Sequence, residues 1–271
     1  MIYGRRKLSG HSKWANIKRQ KAVVDAKKGA AYARLSREII VAARGGADVA
    51  ANFKLRQAVD RAKAEGMPND NIQRAIEKGS GSGQGNNLEE LVYEGYGPGG
   101  VAIMVRTATD NRNRTAGDVR SFFSKYGGNL GETGCVNWIF KERGEVIAER
   151  EKDIDEETLL ALALESDAED IEENGLDESG KQITTFICNS QTLEQVKEKL
   201  SKTAANQVKG LRIKSAQINL VPNTIIPVAD KNVAKQLLKL LDALENQDDV
   251  QQIYANFDID SAWLEELAGN T

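Results

Sequence analysis

The chain is poor in the residues that most chemistry needs. It has one histidine, His11, two cysteines, Cys135 and Cys188, and four prolines among 271 residues. A zinc site would have to combine His11 with two distant cysteines and a carboxylate, and no ligand spacing supports it. A Ser-His-Asp triad could use only His11, which sits among lysines near the N-terminus. No G-x-x-x-x-G-K-[ST] phosphate loop and no D-x-[DN]-x-[DN]-G calcium loop occurs. No metal, no cofactor and no enzymatic activity are therefore expected. No stretch approaches the roughly 18 apolar residues of a membrane span. The opening residues Met1 to Leu8 are basic without an apolar run behind them, so no secretory signal and no membrane partner are expected. So few cysteines fit a reducing compartment, which makes the cytoplasm the expected location.

One motif is present in letter only. Gly95-Tyr96-Gly97-Pro98-Gly99-Gly100 satisfies G-x-G-x-x-G, yet Val101-Ala102-Ile103-Met104-Val105 follows it. A dinucleotide site needs a helix there, with its N-terminus facing the pyrophosphate. The β-branched run predicts a strand instead, and the glycines around Pro98 predict a tight hairpin turn.

What the chain does have is charge, unevenly placed. The formal net charge of −3 hides +11 over residues 1–80 and −14 over the remainder. Residues 145–178 alone hold 15 acids against Arg150 and Lys152. An asymmetry of this size points to nucleic acid at the basic end. The acidic run is read first as a solvated face and second as a surface that repels phosphate and meets a basic protein.

The basic end reads as helical. Tyr32, Leu35, Ile39 and Ala43 recur every three or four residues, with Lys27, Arg34, Arg37 and Arg44 on the opposite side. Gly45-Gly46 is expected to end that helix. A second helix starts after the N-cap Asn52, buries Leu55, Ala58, Val59 and Ala62, and stops at Gly66. A third is capped by Asp70, turns Ile72, Ala75 and Ile76 inward and ends at Gly79. A Gly/Ser-rich linker follows, and the period then changes from helical to alternating. Strands are expected near 88–95, 100–108, 135–141, 144–149, 182–188, 211–220 and 248–256, with helices near 112–126, 156–166, 190–203 and 229–244. The two cysteines are read as buried strand residues. The pattern is α+β with split-βαβ sheets.

Within the basic arm, Lys13, Lys18, Arg19, Lys21, Lys27 and Lys28 crowd around Trp14. Several cations at a pitch comparable to phosphate spacing are what nucleic-acid binding by counterion release requires. Trp14 either stacks on a base or anchors the arm to the protein's own core. In the loop Asp110-Asn111-Arg112-Asn113-Arg114, the arginines either reach a phosphate at the following helix N-terminus or pair with nearby carboxylates while Asp110 and Asn113 cap the turn. The candidate nucleic-acid-binding residues are thus Lys13, Trp14, Lys18, Arg19, Lys21, Lys27, Lys28, Arg34, Arg37, Arg112 and Arg114.

The segment Gly10-His11-Ser12-Lys13-Trp14-Ala15-Asn16-Ile17-Lys18 resembles the opening signature of the YebC family of probable transcriptional regulators. A mitochondrial relative is the translational activator of cytochrome c oxidase. The resemblance continues through Ala64-Glu65-Gly66-Met67-Pro68-Asn69-Asp70-Asn71-Ile72, Tyr93-Glu94-Gly95-Tyr96-Gly97-Pro98-Gly99-Gly100, Thr109-Asp110-Asn111-Arg112-Asn113-Arg114-Thr115 and Lys125-Tyr126-Gly127-Gly128-Asn129-Leu130-Gly131. Nine residues precede Gly10, with Arg5, Arg6 and Lys7 among them. The resemblance implies an N-terminal three-helix bundle followed by two ferredoxin-like α+β domains, one inserted in the other. In residues, that is a basic arm 1–24, a bundle 25–79, an α+β domain 80–134 plus 223–271, and an inserted acidic α+β domain 135–222. It implies a nucleic-acid-binding regulator of gene expression. The alternative is a translation factor bound to ribosomal or messenger RNA at the ribosome, which the mixed charge map and the mitochondrial relative suit.

Overall fold

The computed structural model describes residue 14 and residues 24–81, 88–176, 180–208 and 210–268. In chain order the helices α1 (Val24–Ala43), α2 (Phe53–Ala64) and α3 (Asn69–Ser80) come first. β1 (Glu89–Tyr96), β2 (Ala102–Thr109), α4 (Arg112–Lys125) and β3 (Asn129–Leu130) follow. Next are β4 (Phe140–Arg150), α5 (Glu156–Ser166), β5 (Asp170–Leu176), β6 (Gln182–Cys188), α6 (Leu193–Gln207) and β7 (Leu211–Pro222). The chain ends with β8 (Ile226–Pro227), α7 (Lys231–Glu245), β9 (Val250–Ala255), β10 (Phe257–Asp258) and α8 (Ser261–Ala268). The described residues form two compact units, one holding Lys141–Val221 and the other the segments on either side of it. No helix among the described residues is long and apolar enough to cross a membrane.

The bundle forms where the apolar period places it. Leu35, Ile39, Ile40 and Ala43 of α1 share one core with Leu55, Ala58, Val59 and Ala62 of α2 and with Ile72, Ala75 and Ile76 of α3. Asn52 caps α2 by accepting from the Leu55 N–H at 3.1 Å, and its amide donates to the carbonyls of Ala42 and Gly46, both at 2.8 Å. One side chain therefore fastens both sides of the α1–α2 connection. Two expectations for α3 need correction. Asp70 lies inside the first turn, with Pro68 at the N-cap position and no side chain capping it. Gly79 does not end the helix, which runs on to Ser80. A Cβ at position 79 would stand 2.3 Å from the Ile40 carbonyl oxygen, so this glycine is what lets α1 and α3 approach.

The first sheet has strand order β3-β1-β2-β9. Its pairs β1–β2, β1–β3 and β2–β9 are all antiparallel. The β1–β2 hairpin closes through a 3-10 turn in which Gly99 and Gly100 take φ of 74° and 73°. Glycine is needed there because L side chains disfavour that region. One face of the sheet buries Val101, Ile103, Val105 and Ile253 against Val119 and Phe123 of α4 and Leu237, Leu240, Leu241 and Leu244 of α7. After β3 the chain makes a turn at Gly134–Asn137 whose backbone is gripped by the Glu94 carboxylate. The N–H of Asn223, where the chain returns, donates to the Ile139 carbonyl at 2.8 Å.

The second unit runs β-α-β-β-α-β with sheet order β5-β6-β4-β7, the ferredoxin-like arrangement of two split βαβ units. β4 and β6 pair antiparallel from Gly144–Cys188 to Arg150–Gln182. Val146, Ala148, Leu159, Leu162, Phe186, Val196 and Leu200 are buried. The two strands expected at 135–141 and 144–149 are instead a 3-10 turn at Asn137–Ile139 followed by one strand, β4. β5 was not foreseen, because it is an acid-rich edge strand without apolar alternation. Of the cysteines, Cys188 is buried at the end of β6, whereas Cys135 lies half-buried in a turn rather than in a strand.

About a third of the acidic run is paired with cations inside its own unit. Glu149 pairs with Lys214 at 2.7 Å, Glu173 with Arg150 at 2.8 Å and Glu151 with Lys181 at 3.5 Å. Asp167 pairs with Lys199 and Glu169 with Arg143. Asp155 caps α5, accepting from the Thr158 N–H at 2.9 Å. Glu145 accepts from the amides of Gln217 and Asn219.

Candidate nucleic-acid interface

The predicted cations separate into groups once the chain is folded. Lys13, Lys18, Arg19 and Lys21 lie outside the described residues. Lys27 and Lys28 fall on α1, and their side chains are likewise outside them. Trp14 is 1% exposed and sits in the core of the first sheet with Ile103, Phe123 and Leu237. Its ring has no free face for a base, so the stacking alternative gives way to the anchoring one.

Arg34 and Arg37 look inward. The Arg34 guanidinium donates to the Glu245 carbonyl at 2.7 Å, and Arg37 donates to the Asp248 carbonyl. Both acceptors lie at or just beyond the C-terminus of α7, where unsatisfied carbonyls concentrate negative potential. Burial lowers the pKa of Arg34, with Glu245 opposing and Arg37 adding to the effect. The helix face that the sequence offered to phosphate is thus used to bind the bundle to the α7–β9 turn.

The loop before α4 divides its arginines. Asn111, not Asp110 or Asn113, caps the helix by accepting from the Arg114 N–H at 3.1 Å. Arg114 pairs with Asp249 at 2.8 Å and with Asp110 at 3.0 Å. Its pKa is raised, first by the hydrogen bond to Asp249. Asp249 is 3% exposed and accepts from Thr115 Oγ1 at 2.8 Å and Gln247 Nε2 at 3.3 Å as well. Burial pushes its carboxyl up, but the donors Arg114, Thr115 and Gln247 outweigh it and hold the pKa below its usual value. Arg112 is exposed and has no ion pair among the described residues. Of the two loop arginines, Arg114 is therefore the one held by carboxylates.

These groups border a cleft of about 770 Å³ lined by Arg37, Arg114, Asp110, Asp118, Asp248 and Asp249, among others. Its carboxylates match or outnumber its cations, so it does not suit a phosphate chain. Sequence reasoning missed two features of this unit. One is the buried Glu94, 4% exposed, whose carboxylate accepts from the N–H groups of Gly134, Val136 and Asn137 at 2.8, 2.9 and 2.8 Å. The other is Trp138, 72% exposed at the surface of the turn that Glu94 holds.

Comparison with known proteins places most of the chain. Residues 12–82 match the model described as the TACO1/YebC protein N-terminal domain, and residues 88–257 match the TACO1/YebC second and third domain. A protein of Gloeothece citriformis is 54% identical over 93% of this chain and 96% of its own. One of Desulfitobacterium hafniense is 52% identical over 96% of this chain and 100% of its own. Both are named probable transcriptional regulatory proteins. The crystal structure of a conserved hypothetical protein from Aquifex aeolicus is similar with a TM-score of 0.77 and 45% identity, covering 91% of this chain and 97% of that one.

Proposed function

The chain belongs to the TACO1/YebC family, and on that premise we propose that it is a nucleic-acid-binding regulator of gene expression, acting by binding rather than catalysis. The observation that carries this reading is the charge map. A net +11 is concentrated in residues 1–80, which include all but the last two residues of the matched N-terminal domain, while the rest of the chain carries −14. A polyanion is drawn to the first region and turned away from the acidic run at residues 145–178, which orients the chain on it. The names of the relatives point the same way. Two free cysteines fit a reducing setting, and we place the protein in the cytoplasm.

The test is a titration of the full chain with duplex DNA and with RNA at two salt concentrations, beside a variant with Lys13, Lys18, Arg19 and Lys21 changed to alanine. Binding should weaken with salt, and the variant should lose about 0.7–0.9 of log–log slope for each phosphate contact removed. Absence of binding at low salt, or an unchanged slope in the variant, contradicts the reading. Salt-labile co-sedimentation with ribosomes, without sequence preference on DNA, would identify the translation factor instead.

A further inference from the structure

We propose that Trp138 is a stacking platform for an unpaired base, so that this face of the first unit takes single-stranded nucleic acid. The inference rests on the nucleic-acid reading above and adds the site and strandedness of the ligand.

Trp138 is 72% exposed, the most exposed large apolar side chain among the described residues. Its position is fixed from beneath. Three backbone N–H groups of the preceding turn donate to the buried Glu94 carboxylate. Charge-assisted bonds of this kind are about twice as strong as neutral ones. Val136 and Ile139, on either side, are 0% and 7% exposed and anchor the turn in the protein. The indole Nε1 donates to the Cys135 carbonyl at 3.1 Å, and the Tyr96 hydroxyl donates to the same oxygen at 3.1 Å. The polar edge of the indole is thereby occupied. What remains to offer a partner is the π surface, held in place before the partner arrives, so little side-chain freedom is lost on binding.

The surroundings select the occupant. Tyr96, 38% exposed, lies beside the tryptophan through their shared acceptor. Along the same outer face of β1 comes Val92, 42% exposed, about 13 Å away at strand spacing. Directly across from Val92 in the register is Arg106. Its ion pair with Glu90 is 3.8 Å long with both partners about half exposed. A pair of that kind contributes little and yields readily to a phosphate. An aromatic face with a cation further along the same side of the sheet is the combination that binds single strands, stacking a base at one point and meeting the backbone at another. In a duplex each base is already stacked within the helix and cannot reach a fixed indole without being extruded.

The experiment uses the full chain, wild type, Trp138→Ala and Trp138→Phe, with end-labelled single-stranded RNA, single-stranded DNA and the matching duplex, at two salt concentrations. Trp138→Ala should weaken single-strand binding roughly 5- to 100-fold while leaving duplex affinity within about twofold, and Trp138→Phe should recover most of the loss. The salt slope should be unchanged, because stacking releases no counterion. Wild-type binding that Trp138→Ala does not weaken, or weakens equally for duplex, overturns this inference alone. Failure of the wild type to bind any of the three overturns the broader reading too. Self-association that disappears in Trp138→Ala would assign the face to a second copy of the chain and overturn the single-strand site.

Discussion

Replacing Gly79 by alanine should destabilise the bundle, against the usual rule for helix interiors. Gly→Ala inside a helix normally stabilises by about 0.5–1 kcal/mol through backbone entropy. Here the new Cβ would lie 2.3 Å from the Ile40 oxygen, 2.9 Å from the Ile40 Cα and 2.8 Å from the Ala43 Cβ. Carbon and oxygen settle at roughly 3.3 Å even in their closest favourable contacts, so α1 and α3 must part by about 1 Å. The obstructing atoms are mostly helix backbone and cannot rotate aside. Overpacking of this kind costs about 1–3 kcal/mol, and with clashes this short against backbone the upper half of that range outweighs the propensity gain, leaving a net loss of about 1–2 kcal/mol. Gly117 in α4 is the control, since nothing stands within 4 Å of its Cβ position. Gly117→Ala should therefore stabilise by about 0.5–1 kcal/mol. Denaturant unfolding followed by circular dichroism at the helical band compares the two. If both substitutions shift the midpoint the same way, the close-approach account of Gly79 is wrong.

Further outcomes follow from the buried polar groups. Glu94→Ala strands three backbone donors and should destabilise by about 1–3 kcal/mol; an unchanged unfolding midpoint would remove Glu94 as the holder of the turn. Asp249→Asn should likewise lose about 1–3 kcal/mol at neutral pH, because Thr115 and Arg114 lose their charged acceptor. With its pKa held low, Asp249 contributes stability that is present above the unfolded carboxyl value of about 3.9 and is lost as pH falls through the lower folded value. The variant should accordingly show a shallower stability loss below about pH 4 than the wild type, and parallel acid titrations would refute this. Burial pushes the Cys188 thiol up to about 11, so at pH 8 it should alkylate only as fast as the chain unfolds. Rapid labelling of Cys188 in the native protein contradicts that placement.

Much of the fold could be read from period alone, because burial in these elements is decided locally. Leu55, Ala58, Val59 and Ala62 line the core that their spacing indicates, and α5 and β6 begin and end at the expected residues. β5 was hidden because an edge strand with exposed Glu and Asn side chains has no reason to alternate. The candidate site was less legible. The spacing of Arg34 and Arg37 shows that they share a polar face, but not that the face meets carbonyls more than 200 residues later in the chain. Val136, Trp138 and Phe140 have strand periodicity, and a strand would put all three on one side. The 3-10 turn at Asn137–Ile139 breaks that phase, burying Val136 and Phe140 while turning Trp138 outward. The carboxylate that stabilises the turn lies 40 or more positions upstream, where no local pattern links the two.

The hydrogen bond from Asn223 to Ile139 has an architectural consequence. It holds the departing and returning chain segments side by side, so the first unit already holds the two ends of everything between them. To that unit the intervening residues are a loop whose closure has been settled, and loop length enters stability only logarithmically. Excising Lys141–Val221 and joining the ends with a few glycines should thus preserve the β1–β2–β9 core. A foreign domain inserted at the same junction should likewise leave that core intact, because the junction is held by Ile139, Asn223 and Glu94.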